Sequence, residues 1–235
     1  MSNNFTMILW MKPVEETFEN QMERVYGTLR EISQIDTLYP RFLPAKTKKL
    51  AKEFILSKGN TRELVQINHD KLFPELGSRF SFFTSMNDDE MNGISISTGN
   101  QKFTNSIVIK IKSSDFFIKG YEKLLQMVPL FIRIVKMNNP FFACIADRRN
   151  ESMYEGYFNE EKQQPKAVYW MNYWGKDIVS QIGFEQAYRN EELSKVYNIE
   201  EFNGGYFINL TKEPTNFEND EHMELQKSIN LMLRL

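Results

Sequence analysis

The sequence holds one cysteine and two histidines among 235 residues. A lone thiol excludes an internal disulfide. Three such side chains also fall short of a zinc site of the usual kind, which takes three or four His, Cys or carboxylate ligands at characteristic spacings. Neither H-E-x-x-H nor C-x-x-C occurs, and G-x-S-x-G, the Walker A sequence and G-x-G-x-x-G are missing as well. No metal centre, nucleophile elbow or phosphate cradle is therefore legible, and no cofactor is expected. Long apolar runs are also lacking. Met7-Ile8-Leu9-Trp10-Met11 is too short for a signal peptide or for the roughly 18 apolar residues that suggest a membrane span, so a cytoplasmic protein is expected. Charge of one sign does not dominate: 29 Lys and Arg stand against 31 Asp and Glu, a formal net charge of −2. With a pI near 5.9 the chain lacks the basic face that a general nucleic-acid binder needs for phosphate contacts.

What the chain does have is aromatic side chains and ordinary globular balance. It carries 19 Phe, 10 Tyr and 3 Trp, with 41% hydrophobic and 26% charged residues, enough to fill a core and leave rings for a recognition surface. Residues 3 to 11 read as a first strand ended by Pro13. Val14, Phe18, Met22, Val25, Leu29 and Ile32 then recur at helical spacing, an amphipathic N-terminal helix. The segment from Asp36 to Pro44, with two prolines among apolar residues, reads as a packed loop, and a short helix is expected over Thr47 to Leu56.

Arg79 to Met86, Gly93 to Thr98 and Ser106 to Lys112 read as a three-stranded meander, since β-branched and aromatic runs alternate with Asn, Asp and Gly clusters. Ser113-Ser114-Asp115 offers caps for a long central helix from about Phe116 to Met137, with Phe117, Tyr121, Leu124, Leu125, Val128, Phe131, Ile132 and Val135 as its stripe and Pro129 as a kink. Phe141 to Ala146, with Cys144 inside it, reads as a buried strand, and the thiol as a small buried hydrophobe. Val168 to Gly175 is the densest aromatic run and reads as a strand. Ile178, Val179 and Ile182 resume helical spacing up to Gly183. Asn203-Gly204-Gly205 turns into a strand from Tyr206 to Leu210, and a C-terminal helix runs over Asn219 to Leu235. No repeat, low-complexity tract or Gly/Ser linker interrupts the chain. The expectation is one α+β domain over 1–235, built on a largely antiparallel sheet with N-terminal, central and C-terminal helices.

Chemistry-bearing residues are few. His69 lies beside Asp70 and His222 beside Glu221, but neighbours in a helix or strand point apart, so both histidines read as surface or capping residues. The remaining signals are of surface character. Asp88-Asp89-Glu90 in a hairpin turn and Glu160-Glu161 in a loop are acidic clusters, as is Glu218 with Asp220 and Glu221; such clusters either solvate a loop or meet a basic partner. In the aromatic run, alternation puts Tyr169, Met171 and Tyr173 on one face and Trp170, Asn172 and Trp174 on the other. Most of these rings are expected in the core. Trp174, at the strand's end, is the candidate anchor for a partner.

The second half resembles the immunity protein 52 family of bacterial polymorphic toxin systems. The likeness rests on the aromatic strand Ala167 to Trp174, on Glu201-Phe202-Asn203-Gly204-Gly205-Tyr206 leading into a strand and the Glu213-Pro214 turn, and on Asn219-Asp220-Glu221-His222 opening the last helix. In the first half the amphipathic helix followed by Ile35-Asp36-Thr37-Leu38-Tyr39-Pro40 is similar to that family's opening. The resemblance implies a non-enzymatic α+β protein that binds and neutralises a cognate toxin, in that family usually a nuclease of the restriction-endonuclease type. Asp88, Asp89, Glu90, Glu160, Glu161 and Trp174 are then the candidate partner-binding residues, because an acidic loop can enter a nuclease's basic groove. The alternative is a small hydrolase or transferase whose site has no recognisable motif. A third reading is a structural subunit of a larger assembly.

Overall fold

The computed structural model describes residues 4–112 and 125–235. It is an α+β fold whose sheet pairings are antiparallel throughout the registers seen. The chain clusters into two compact units, one from Met7 to Asn139 and one from Pro140 to Leu235 together with residues 4–6. No linker separates them in sequence. Asn139, in the left-handed conformation, ends a helix, and Pro140 follows it directly.

The first unit takes up most of strand β1 (Phe5–Met11) and then helix α1 (Phe18–Ile32). Helix α1 starts four residues later than the apolar spacing suggests, because Thr17 caps it by accepting from the Asn20 N–H at 3.3 Å, and Val14 is left exposed. The packed loop expected after it forms a single 3-10 turn, Asp36–Leu38, and a short strand β2 (Phe42–Leu43). The helix expected over Thr47 to Leu56 does not form. That stretch makes a 3-10 turn at Lys48–Leu50 and strand β3 (Lys52–Glu53), and the helix lies further on, as α2 (Lys58–Ile67). Ser57 caps α2 through the Asn60 N–H, but Gly59 and Asn60 are poor helix formers, and the buried stripe of Thr61, Leu64 and Val65 is narrow, so little in the pattern reveals it.

The meander is as expected: β4 (Ser78–Phe83), β5 (Gly93–Thr98) and β6 (Asn105–Ile111) pair antiparallel with Phe80 opposite Ile96 and Ile94 opposite Ile109. Within this unit the strands run in the order β1-β6-β5-β4-β2-β3. Helix α3 (Met127–Asn138) buries Leu130, Phe131, Ile134 and Val135. Pro129 stands in its first turn, where a missing N–H leaves no bond unmade. The residues expected to begin the central helix, including the caps at 113–115 and Phe117, Tyr121 and Leu124, lie outside the described residues. Helices α1 and α3 are tied by Thr28 to Asn138 at 3.1 Å and by the ion pair of Glu31 with Arg133 at 2.7 Å.

The second unit is organised by β7 (Phe142–Asp147), whose six residues are all buried. A helix α4 (Arg148–Met153) and a small hairpin of β8 (Phe158–Asn159) with β9 (Gln164–Pro165) lead to β10 (Met171–Trp174). Two short helices follow, α5 (Lys176–Gln181) and α6 (Phe184–Arg189), then β11 (Asn198–Phe202), β12 (Gly205–Asn209) and the C-terminal helix α7 (Asp220–Leu233). The strand order is β11-β12-β10-β7, with β10 hydrogen-bonded on both sides.

The expected aromatic strand is shorter than its sequence. Asn172 accepts from the Tyr169 N–H at 2.9 Å and donates to the Tyr169 carbonyl at 2.9 Å, which folds the chain into a turn just before the strand. Strand β11 carries Glu200 and Glu201 at a sheet edge, so it lacks the apolar alternation that would reveal it. Gly205 is dictated by packing. A Cβ there would overlap the Trp174 carbonyl oxygen of the neighbouring strand.

Candidate functional site

The lone thiol and His222 are engaged by the fold. Cys144 is fully buried on β7 opposite Asn172, and burial pushes its thiol well above the ordinary range. Native protein is therefore expected to leave Cys144 unmodified by a thiol reagent, even at pH 9, while unfolded protein reacts with one equivalent. Because only the unfolded chain releases this proton at moderately alkaline pH, the thiol also makes stability fall as pH rises above the unfolded value. His222 Nδ1 accepts from the Asn216 N–H at 3.2 Å in the loop before α7, a helix capped by Asn219 rather than by the histidine, and His69 sits at an isolated bridge to Ser78. Among the described residues no three His, Cys, Asp or Glu side chains are grouped so that they could hold a metal ion. No described helix is long and apolar enough to cross a membrane.

The sequence candidates fall in three places. Asp88, Asp89 and Glu90 occupy the exposed turn between β4 and β5, as expected of a hairpin tip. The turn is not a bare patch of negative charge, however. Lys48 pairs with the Asp88 carboxylate and holds its pKa below the usual range, while Lys112 Nζ donates to the Asp88 carbonyl. Glu160 and Glu161 stand exposed at the tip of the β8–β9 hairpin. That tip is braced by the Asn159 side chain, which accepts from the Lys162 N–H at 3.0 Å, and by Gln181 of α5, which donates to the Lys162 carbonyl.

Trp174 requires a correction. Its side chain is fully buried, so it presents no ring to a partner. The reason is visible in the register: Trp174 lies between Phe142 of β7 and Tyr206 of β12, and Phe184 of α6 closes over it edge-to-face, with ring centroids 5.6 Å apart. The other rings of the run, Tyr169, Trp170 and Tyr173, are buried as well. Both faces of the strand are thus buried rather than one being left for a partner.

What Trp174 supports does reach the surface. Phe184 packs on Tyr206 at 4.9 Å and stacks on Tyr188 at 6.1 Å, and Tyr188 and Tyr206 lie 5.7 Å apart at 59° in a third pair. The cross-strand register sets Glu201 of β11 directly opposite Tyr206. Helix α6 carries Glu185 one turn before Arg189, and the two pair at 3.4 Å. The Tyr206 phenol is pushed above its ordinary pKa, first by desolvation and then by the Glu201 and Glu185 carboxylates. Tyr188 is 43% exposed. A polar groove of about 510 Å³ between α5 and α6, lined by Ser180, Gly183, Gln186 and Asn190, shares Glu185 and Arg189 with the patch.

This surface combines aromatic faces with negative charge on a buried, ring-packed base. Sequence reasoning missed it because its members come from a helix and two strands. The Gly204-Gly205 turn was legible, but the strand before it was not, so the pairing of Glu201 with Tyr206 emerges only in the structure.

A family described as a domain of unknown function, DUF5953, matches residues 160–230, a stretch inside the second unit that contains Glu160, Glu161, Trp174 and the whole tyrosine–carboxylate patch. No curated protein matches the chain. Among solved structures, the Pseudomonas aeruginosa T6SS protein PA0821 is similar with a TM-score of 0.65 at 12% identity, over 99% of this chain and 73% of that one. The chain thus has the fold of that T6SS protein across nearly its whole described length, at an identity that speaks to fold alone.

Proposed function

We propose that this chain is an immunity protein of the kind its sequence resembles: a non-enzymatic cytoplasmic binder that captures a cognate polymorphic toxin and neutralises it. The observation that carries the reading is the fold it shares with a T6SS protein over 99% of its length. A cell that exports toxins must protect itself from them, and the immunity protein 52 resemblance of the sequence points the same way. The chemistry agrees with a binder. The thiol is buried, His222 braces the loop before α7, and the exposed residues of the second unit include carboxylates and tyrosines.

The expected toxin is a nuclease of the restriction-endonuclease type, because a groove that holds phosphates is basic and complements acidic surface. Exposed Asp89, Glu90, Glu160 and Glu161 add to the field that steers such a partner, and Asp88 contributes less because Lys48 already pairs with it.

Co-expression with the toxin domain encoded beside it is the test. Cells should survive toxin expression only in its presence, the two proteins should purify as a complex, and added protein should titrate the toxin's nuclease activity to zero at a fixed stoichiometry. Undiminished killing with no complex would overturn the reading. Multiple-turnover modification of the toxin or of a small molecule would replace it with an enzyme.

A further inference from the structure

We infer that the patch formed by Tyr188, Tyr206, Glu185 and Glu201 is the surface that contacts the partner, and that it accepts a protruding arginine or lysine side chain of a basic protein. This rests on the neutralisation reading for the partner's identity, but the cation site is defined by its own geometry. Two tyrosine rings 5.7 Å apart and inclined at 59° offer electron-rich faces to a cation, and the paired register sets Glu201 directly across from the residue bearing one of them. Glu185 approaches from the helix side. A guanidinium seated there can lie against a ring while donating to a carboxylate, a combination that a flat acidic loop cannot provide.

The surrounding charge favours the same ligand. Between Phe184 and Tyr206 the sequence carries five acidic residues against Arg189 and Lys195. Glu201 forms no ion pair among the described residues, in contrast to Asp88 of the first unit, which Lys48 already satisfies. The base is preorganised. Phe184 is held against the buried Trp174, and Tyr206 is fixed between Trp174 on one side and Glu201 on the other, so little ordering remains to be done on binding.

Arg189 has a distinct role in this arrangement. Its side chain is 78% exposed, pairs with Glu185 at 3.4 Å and acts electrostatically on the Tyr206 phenol, so it stands where an incoming cation would. It is a resident competitor. A partner's arginine, anchored by its neighbours, displaces it.

Two measurements test this separately from the toxin reading. In the first, tri-arginine peptide is titrated into isotopically labelled protein and followed by amide chemical shifts. The shifts should concentrate on residues 184–189 and 200–206 and should be lost in the Glu185→Gln/Glu201→Gln double variant, whose isosteric exposed changes leave the fold intact. In the second, affinity for the toxin domain is measured for that double variant, for Tyr188→Ala, for Arg189→Gln and for Glu224→Gln on the exposed face of α7. The double variant and Tyr188→Ala should each weaken binding about tenfold or more, Arg189→Gln should strengthen it several-fold, and Glu224→Gln should leave it unchanged. Toxin binding that is unaltered in the double variant and in Tyr188→Ala would overturn the inference while leaving the neutralisation reading intact. Peptide shifts scattered over the surface, or absent, would overturn it as well. Shifts confined to the patch in a protein that captures no toxin would support the cation site and remove the toxin.

Discussion

Replacing Trp174 with alanine is expected to lower folding stability by about 3 to 5 kcal/mol, among the largest costs any single truncation in this chain should carry. The indole is fully buried, and the strand that bears it is hydrogen-bonded on both sides, opposite Phe142 and Tyr206. Neighbouring backbones are therefore pinned by two ladders and cannot collapse into the space left behind, which is the condition under which a cavity costs most. Phe184 loses its edge-to-face partner at the same time.

None of this loss is a hydrogen bond, because the indole Nε1–H is buried with no partner among the described residues. Trp174→Phe, which keeps a ring and deletes that unsatisfied donor, should accordingly lose less than about half as much. Urea unfolding of the two variants checks the pair of values. An alanine variant within about 1 kcal/mol of the parent would show that the ring is not part of the core. The expectation also has a functional edge. Trp174 is buried, so any effect on binding should come through Phe184 and the tyrosines above it, and should shrink when affinity is corrected for the folded fraction.

The second large effect is expected at Asn172. This side chain is fully buried, and its bonds are of a kind that no apolar residue can replace. Its Oδ1 accepts from the Tyr169 N–H at 2.9 Å, and its Nδ2 donates to the Tyr169 carbonyl at 2.9 Å and to the Ile208 carbonyl at 3.2 Å. Leucine keeps the branched heavy-atom skeleton with bulkier methyl groups, so Asn172→Leu removes the polar bonds without opening a cavity and adds some overpacking. With a buried donor and a carbonyl of the turn left unpaired, at about 1 to 3 kcal/mol for each orphan, a loss of roughly 3 kcal/mol or more is expected.

The structural consequence should be local before it is global. The turn at 169–172 sets where Trp170 points, and the Trp170 Nε1–H donates to the Thr211 carbonyl at 3.2 Å. Amide exchange should speed up first at Tyr169 and along β12. If Asn172→Leu were as stable as the parent, the turn would have to be held by the packing of its rings alone, and the hydrogen bonds of Asn172 would be incidental.

Much of the fold follows from local pattern alone. Helix α1 and the C-terminal helix α7 were legible because their buried residues, such as Met22, Val25, Leu29 and Ile32, return every three or four positions, and one repeating stripe suffices to name a helix and its inner face. The meander of β4, β5 and β6 was legible for the matching reason at period two, with turn residues at each end. Cys144 was readable as core from its neighbours. Where the stripe is narrow, as in α2, or where a strand lies at an edge and carries charge, as in β11, the pattern does not distinguish element from loop.

The absence of a catalytic motif, the near balance of charge and the Gly204-Gly205 turn leading into a strand were also properties of the sequence itself. The fate of the aromatic run was not. Alternation could apply only to Tyr173 and Trp174, because Tyr169 and Trp170 precede the strand, and whether a ring meets solvent depends on what else packs there. Phe184, 10 residues beyond Trp174, and Tyr206, across a strand pairing, were the side chains that decided it. The same holds for charge. Asp88 and Glu201 are equally acidic in sequence, yet Lys48 folds back onto one while the other stands across the strand pair from Tyr206. Periodicity is a property of consecutive residues, so the sequence determined which segments form helices and strands and which of their faces are apolar. Burial and pairing depend on residues far apart in the chain, so only the tertiary structure decided which rings became core and which carboxylates were left to meet a partner.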